Sequence, residues 1–270
     1  ISIGLVGSEM CIRDRLKITF LGTGTSQGIP VIGSDHPVSF SKDLKDKRLR
    51  SSILVQHEDI SFSIDCGPDF RQQMLRADCK KLDAIVFTHE HADHTSGIDD
   101  TRPYFFRQGK IPIYLHERVL NSLKERFAYI FDPTKKYPGA PDFEVNLINK
   151  DSKFQIKNLT IIPIESMHMK LSVLGFRINN FAYLTDVKSI QKEELEKLKN
   201  LDVLVINALR FDPHPSHLNV DEAIEIINQI NPKTTYFTHI SHNMGFHEEV
   251  CEKLPANVSL AYDGLVVELD

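Results

Sequence analysis

Asp83-Ala84-Ile85-Val86-Phe87-Thr88-His89-Glu90-His91-Ala92-Asp93-His94 runs an apolar segment directly into an H-x-H-x-D-H cluster. The apolar part reads as a buried strand. Side chains alternate along an extended chain, so His89 and His91 should point the same way. A turn into helix after them would carry Asp93 and His94 to a second point a few ångströms on. One short cluster can therefore serve two metal ions. Imidazole and carboxylate suit zinc, manganese or iron, and the lack of Cys argues against a closed structural zinc site. The plain alternative is a surface loop that happens to be rich in His.

Four side chains cannot complete two sites, so further ligands are expected elsewhere. His168 follows the apolar run Thr160–Ile164, Asp186 follows Phe181–Thr185, and His239 follows Thr235–Thr238. Each is expected just past the end of a strand. Taken singly, each also reads as a satisfied structural His or as a helix-capping Asp. Their joint placement favours ligands.

The order H-x-H-x-D-H, His, Asp, His resembles the metallo-β-lactamase superfamily of binuclear metallohydrolases, over residues 16 to 270. Within it, Leu21-Gly22-Thr23-Gly24-Thr25-Ser26-Gln27-Gly28-Ile29-Pro30, Ile64-Asp65-Cys66-Gly67-Pro68-Asp69-Phe70-Arg71 and His214-Pro215-Ser216-His217-Leu218 look like the branch of phosphonate-pathway phosphoribosyl cyclic phosphodiesterases. That branch is close to the tRNA 3′-processing endonucleases. The resemblance implies a four-layer αββα sandwich. It implies one metal held by His89, His91 and His168, a second held by Asp93, His94 and His239, and Asp186 bridging them. It also implies that His217 stands by as a proton donor, although a plain loop His before a helix is the alternative.

Two divalent ions, Zn2+ first and Mn2+ or Fe2+ next, would share a water and bring its pKa from 15.7 towards ~7. The hydroxide so formed between them would attack a phosphodiester. An alkoxide leaves poorly, so a protonated His217 would help by about 10²–10⁴-fold. Asp93 is read mainly as a ligand, with a second role in orienting the attacking group.

One stretch departs from the branch. Many relatives carry Cys-x-Cys-x-x-Cys after the Gly-Ile-Pro segment and bind a structural zinc with a distant His. Here Ser34, His36 and Ser39 replace the three Cys, while the distant His242 remains. That site is expected to be lost, with the loop from Ile32 to Phe40 held by hydrogen bonds; a residual site of Asp35, His36 and His242 is the alternative.

Composition bounds the reading. The 270 residues carry a net charge of −5, which gives no support for broad nucleic-acid binding. Cys11, Cys66, Cys79 and Cys251 show no paired spacing, which fits a reduced, cytoplasmic setting. No apolar stretch approaches the roughly 20 residues of a membrane span. A small phosphodiester is the expected partner; nucleic acid and membrane are not, and a homodimer stays open. Residues 1–15 have no basic n-region or long apolar core, so they make a poor signal peptide. They resemble translated adapter sequence, and a non-native or disordered tail is expected ahead of one hydrolase domain over 16–270.

Strands are expected at residues 17–21, 52–56, 60–65, 84–88, 111–115, 159–164, 173–178, 181–184, 203–206, 234–237, 258–261 and 266–269. Helices are expected at 69–76, 118–129, 191–199, 220–230 and 247–253. Hairpins are expected across Asn179-Asn180 and across Asp263-Gly264. The basic stretch Lys42–Arg50 reads as a solvated loop, and Gly22–Gly28 as a tight turn near the metals rather than a P-loop. Competing readings are an RNA-processing endonuclease, a thioesterase or lactonase, and a non-catalytic metal-binding scaffold.

Overall fold

The computed structural model describes residues 15–269, so the tail expected over residues 1–15 falls almost wholly outside the described residues. In chain order the elements are β1 (Leu16–Gly22), β2 (Ser52–His57), β3 (Ile60–Ile64), α1 (Phe70–Arg76), β4 (Ala84–Val86), α2 (Ala92–Thr95), α3 (Arg102–Gln108), β5 (Ile111–Leu115), α4 (Glu117–Arg126), α5 (Ala128–Phe131), β6 (Phe143–Leu147), β7 (Phe154–Ile156), β8 (Leu159–His168), β9 (Leu171–Ile178), β10 (Phe181–Tyr183), β11 (Ser189–Ile190), α6 (Lys192–Glu196), β12 (Val203–Asn207), α7 (Val220–Ile230), β13 (Thr234–Thr238), α8 (His247–Cys251), β14 (Val258–Leu260) and β15 (Val266–Leu269).

The strands form two sheets. One runs β15-β1-β2-β3-β4-β5-β6; the other runs β11-β8-β9-β10-β12-β13-β14, with β7 paired to β8. Three apolar clusters fix the layers. Ile18, Phe20, Val55 and Phe62 of the first sheet meet Ile161, Phe176, Tyr183 and Val205 of the second. Leu204, Ile206 and Phe237 meet Ala223 and Ile227 of α7 and Val250 of α8. Leu54, Ile85 and Ile113 meet Phe70 and Met74 of α1 and Val119 and Leu123 of α4. The order is helices, sheet, sheet, helices, as the resemblance implied. The central strands are buried on both faces, which is why they read as continuous apolar runs rather than alternating ones.

The short elements had weak sequence signals. Strand β6 lies at a sheet edge with mostly outward residues, and α2 has only four residues, too few for a helical period. The helix expected over 118–129 is broken at Phe127, whose backbone (φ −121°, ψ 47°) leaves the helical region and separates α4 from α5. Strand β8 runs on to His168, so that residue ends the strand rather than following it.

Two expectations are corrected. The hairpin across Asp263-Gly264 does not form: β14 joins the second sheet beside β13, and β15 joins the first beside β1. The chain changes sheets there, because Asp263 is held by Thr23 Oγ1 (2.8 Å) and the Leu49 N–H (2.8 Å) at the rim of the first sheet. The hairpin across Asn179-Asn180 does form, joining β9 to β10, with Asn179 at φ 51°.

The basic stretch is also not a solvated loop throughout. Arg48 is only 3% exposed. Its Nη1 donates to Thr23 Oγ1 (2.8 Å) and to the Ala261 carbonyl (2.5 Å), and its Nη2 lies 3.2 Å from His247 Nδ1. Burial pushes the guanidinium down to about 10, against the pull of Asp263 and Asp46, so it stays charged at neutral pH. One buried cation thus joins the loop after β1, the start of α8 and the sheet-changing crossover. Arg48→Met keeps the aliphatic bulk but removes the charge facing two buried carboxylates. It should cost about 3 kcal/mol of stability in urea denaturation; a change under about 0.5 kcal/mol would show that the network is dispensable.

Candidate metal centre

The side chains singled out in the sequence converge where strands of both sheets end. Thr88 begins the turn after β4, and its carbonyl accepts from the Leu174 N–H of β9, which ties the turn to the second sheet. His89 and His91 then face one side, ring centroids 4.6 Å apart, and His168 comes within 5.3 Å of His91. The intervening Glu90 turns away and binds Arg118 (2.7 Å), as alternation requires. The short helix α2 redirects Asp93 and His94. They gather with His239, their ligand atoms all within 4.8 Å of one another.

Asp186 stands between the two groups. It clusters with His91 and His168 on one side and with His89 and His94 on another. Its Oδ2 is 3.2 Å from His94 Nε2 and its Oδ1 is 3.3 Å from His239 Nε2. His217 adds an eighth group. Its ring lies 4.5 Å from that of His168 and 4.8 Å from that of His239, and its Nδ1 is 3.8 Å from Asp186 Oδ1. All the residues expected at the site are therefore brought together.

Polar atoms at this depth should have partners. Yet His89 Nε2, His94 Nε2 and both ring nitrogens of His239 are buried with no hydrogen bond. Burial, followed by repulsion from His94, holds His89 well below the usual imidazole range; burial likewise lowers His91. Burial also disfavours charge on His94, but Asp93, Asp186 and Asp65 outweigh it and hold its pKa well above the usual range. Burial opposes ionisation of Asp186, but His239 and His94 hold it well below the usual carboxylate range. Imidazoles kept from charging at His89 and His91, beside carboxylates that hold positive charge on His94, are a donor set that fits divalent cations.

The supporting residues were not assigned from sequence. Asp65, fully buried after β3, accepts from His94 Nδ1 (2.7 Å), the Thr88 N–H (2.9 Å) and Thr88 Oγ1 (3.0 Å). This directs His94 Nε2 inward, the way outer carboxylates orient metal-bound imidazoles. His168 Nδ1 donates to the Ser216 carbonyl (2.7 Å) to the same effect. Thr185 Oγ1 donates to Asp186 Oδ2 (2.7 Å). The signal for Asp65 was present as an acid directly after the apolar strand of the Ile64–Arg71 segment.

The backbone is tight here. A Cβ on Gly67 would stand 2.1 Å from the Asp93 carbonyl, so that loop can approach the ligand turn only as glycine. Asp65, Asp186 and His239 all have left-handed backbones, at φ 67°, 57° and 55°. The Gly22–Gly28 turn also lies against the centre, as expected: Thr25 N–H donates to the Ile240 carbonyl (3.0 Å), next to His239.

The loop from Ile32 to Phe40 is hydrogen-bonded. His36 Nδ1 accepts from the Val38 N–H (3.4 Å) and Ser34 Oγ from the His36 N–H (3.2 Å). His36 and His242 do meet, ring centroids 5.2 Å apart. Among the described residues, however, every group of three or more metal-binding side chains lies at the main centre.

This fold and donor set are of the metallo-hydrolase class. Residues 61–240 match the family described as the beta-lactamase superfamily domain, and the chain belongs to it. The crystal structure of a new diphosphatase from the PhnP family superposes with a TM-score of 0.88 at 41% identity, covering 94% of this chain and 97% of that one. An octanoyltransferase of Porphyromonas gingivalis is 40% identical over 257 residues, 94% of this chain but 52% of that protein. The chain thus spans about half the length of that relative. The probable metallo-hydrolase YhfI of Bacillus subtilis is 25% identical over 235 residues, 81% of this chain and 92% of that protein. Among the described residues, no helix is long and apolar enough to cross a membrane.

Elemental analysis of gently purified protein should approach two divalent ions per chain; a value near three that depends on His36 or His242 would show a surviving structural site. Asp186→Ala should lose metal and activity together, and a metal-replete, fully active variant would remove Asp186 from the centre. Asp65→Ala should weaken metal binding by about 10–100-fold in chelator competition, and unchanged affinity would reduce Asp65 to a packing role.

Proposed function

We propose that the chain is a phosphodiesterase acting on a small cyclic or nucleotide-like phosphodiester. In this reading His89, His91 and His168 hold one divalent ion, Asp93, His94 and His239 hold another, and Asp186 serves both. When bound, such ions activate a water nucleophile and offset negative charge building on a phosphoryl group. Asp93, at the inner wall, also orients the attacking group.

The observation that carries the proposal is His217. It is buried against Asp186, His168 and His239 and groups with Asp186 and His239, and in this reading the two ions take their donors from the other seven residues, which leaves its ring for the proton. An imidazole in that position suits protonation of a leaving oxygen, which an alkyl phosphodiester needs and an activated ester does not. Burial, with His239 beside it, pushes His217 down to about 3 in the free protein. An anionic substrate against the ring opposes that by favouring its charged form. Similarity to the PhnP-family diphosphatase supports phosphoryl chemistry. The net charge of −5 favours a small substrate over a nucleic acid, and zinc is the proposed metal.

If His217 donates that proton, His217→Ala should keep both metals and substrate affinity but lose about 10²–10⁴-fold in kcat on an alkyl phosphodiester. Its loss on bis(p-nitrophenyl) phosphate should be much smaller. Equal losses on both would reject His217 as the acid, and loss of metal would make it a ligand or a ligand's support. A wild-type protein that cleaves thioesters or lactones and no phosphodiester would overturn the substrate class.

A further inference from the structure

The segment Leu209–Asn219 contributes one side chain, His217, to the chemistry proposed above, but its internal bonding links more than that. Ser216 is the hub. Its carbonyl accepts from His168 Nδ1 (2.7 Å). Its N–H and Oγ–H both point at His214 Nδ1, at 3.3 and 3.1 Å. A backbone N–H can only donate, so His214 Nδ1 is the unprotonated nitrogen and Nε2 carries the hydrogen. The His214 ring, less buried than His217, lies nearly parallel to it at 27°, centroids 5.2 Å apart. The His217 ring thus has those of His214, His168 and His239 as neighbours, with centroids at 5.2, 4.5 and 4.8 Å.

The rest of the segment is anchored. Leu218 N–H donates to the Val187 carbonyl (2.8 Å), Leu209 N–H to the Leu218 carbonyl (2.9 Å) and Ser241 N–H to the Leu209 carbonyl (3.0 Å). Asn219 and Glu222 close a capping box on α7, and Glu222 also binds Lys188 (2.6 Å). On the other flank Arg210 donates to the carbonyls of Asp212 (3.4 Å) and Pro213 (3.3 Å), bracing the backbone before His214. Among these bonds, the two into His214 Nδ1 are the ones made by the Ser216 N–H and hydroxyl.

We propose that His214 is a positioning residue with two separable duties. Through Nδ1 it pins Ser216, and so fixes the tautomer and aim of His168. Through its ring face it holds the imidazole of His217. The first duty concerns metal affinity; the second concerns the leaving-group step and rests on the phosphodiesterase reading.

His214→Asn and His214→Ala separate these duties. An Asn side chain can place its Oδ1 where Nδ1 was but has no ring. His214→Ala should weaken metal binding on the order of 10-fold in chelator competition, whereas His214→Asn should stay within about 2-fold of wild type. Imidazole 15N NMR of the metal-free proteins should show His168 as a single Nδ1–H tautomer in wild type and Asn, and as a mixture in Ala. Both variants should lose about 10-fold in kcat on an alkyl phosphodiester, at unchanged KM, with less loss on bis(p-nitrophenyl) phosphate. Thermal unfolding of each variant reports whether the fold survives. If His214→Ala stays folded with wild-type metal affinity and His168 tautomer, the first duty is refuted; equal losses on both esters refute the second. The metal and tautomer readings involve no substrate, so they stand or fall apart from the phosphodiesterase reading.

Discussion

Asp65 is the constraint on which the centre depends. Its carboxylate is buried at the end of β3 and binds Thr88 and His94, the two ends of the ligand turn. A buried anion is tolerated only with such partners. Burial pushes its pKa up, and the opposing pull comes first from His94. Withdrawing either partner would leave charge uncompensated, so the turn has one stable geometry. That geometry leaves His89 Nε2 and His94 Nε2 buried without a hydrogen bond, while the Nδ1 atom of each ring is held by Thr88 or Asp65. The aim of the ligands is thus decided by a residue that need not touch a metal.

Legibility in the sequence tracked the physical range of each signal. The ligand turn was readable because strand alternation and a helical turn act over six residues, and the structure places His89, His91, Asp93 and His94 accordingly. His168, Asp186 and His239 were readable because each closes or follows an apolar run that becomes a central strand. The wrong hairpin at Asp263 had a local turn signal, but the deciding bonds run to Thr23 and Leu49, more than two hundred residues away. Arg48 was misread for the same reason: its partners at Thr23, Ala261 and His247 are remote in sequence. The role of Ser216 was not visible because a hydrogen bond from a ring nitrogen leaves no periodicity, and at Asp65 the sequence showed an acid after a strand but not its partners.

The left-handed backbones at Asp65, Asp186 and His239 show how the centre is accommodated. Non-glycine residues rarely adopt this conformation, and each instance costs on the order of 1–3 kcal/mol. Asp65 and His239 directly follow β3 and β13, and Asp186 stands three residues past the end of β10. The sheets hold the strain, and at these bends Asp186 and His239 join the donor cluster while Asp65 reaches His94. A looser scaffold would relax the backbone and scatter the ligands.

The pairing of β15 with β1 bears on how the chain reaches this state. Leu16 faces Leu269, and Ile18 faces Val267, so the first sheet gains its edge strand only from the final residues of the described chain. Between them in sequence lies the whole second sheet, which β14 extends just before. Contacts of such sequence separation form late and slowly. During synthesis the first half would emerge with one edge of its sheet unprotected, an invitation to pairing with other chains. The same strand swap that closes the sandwich makes assembly of the metal centre an event of the whole chain rather than of its amino-terminal half.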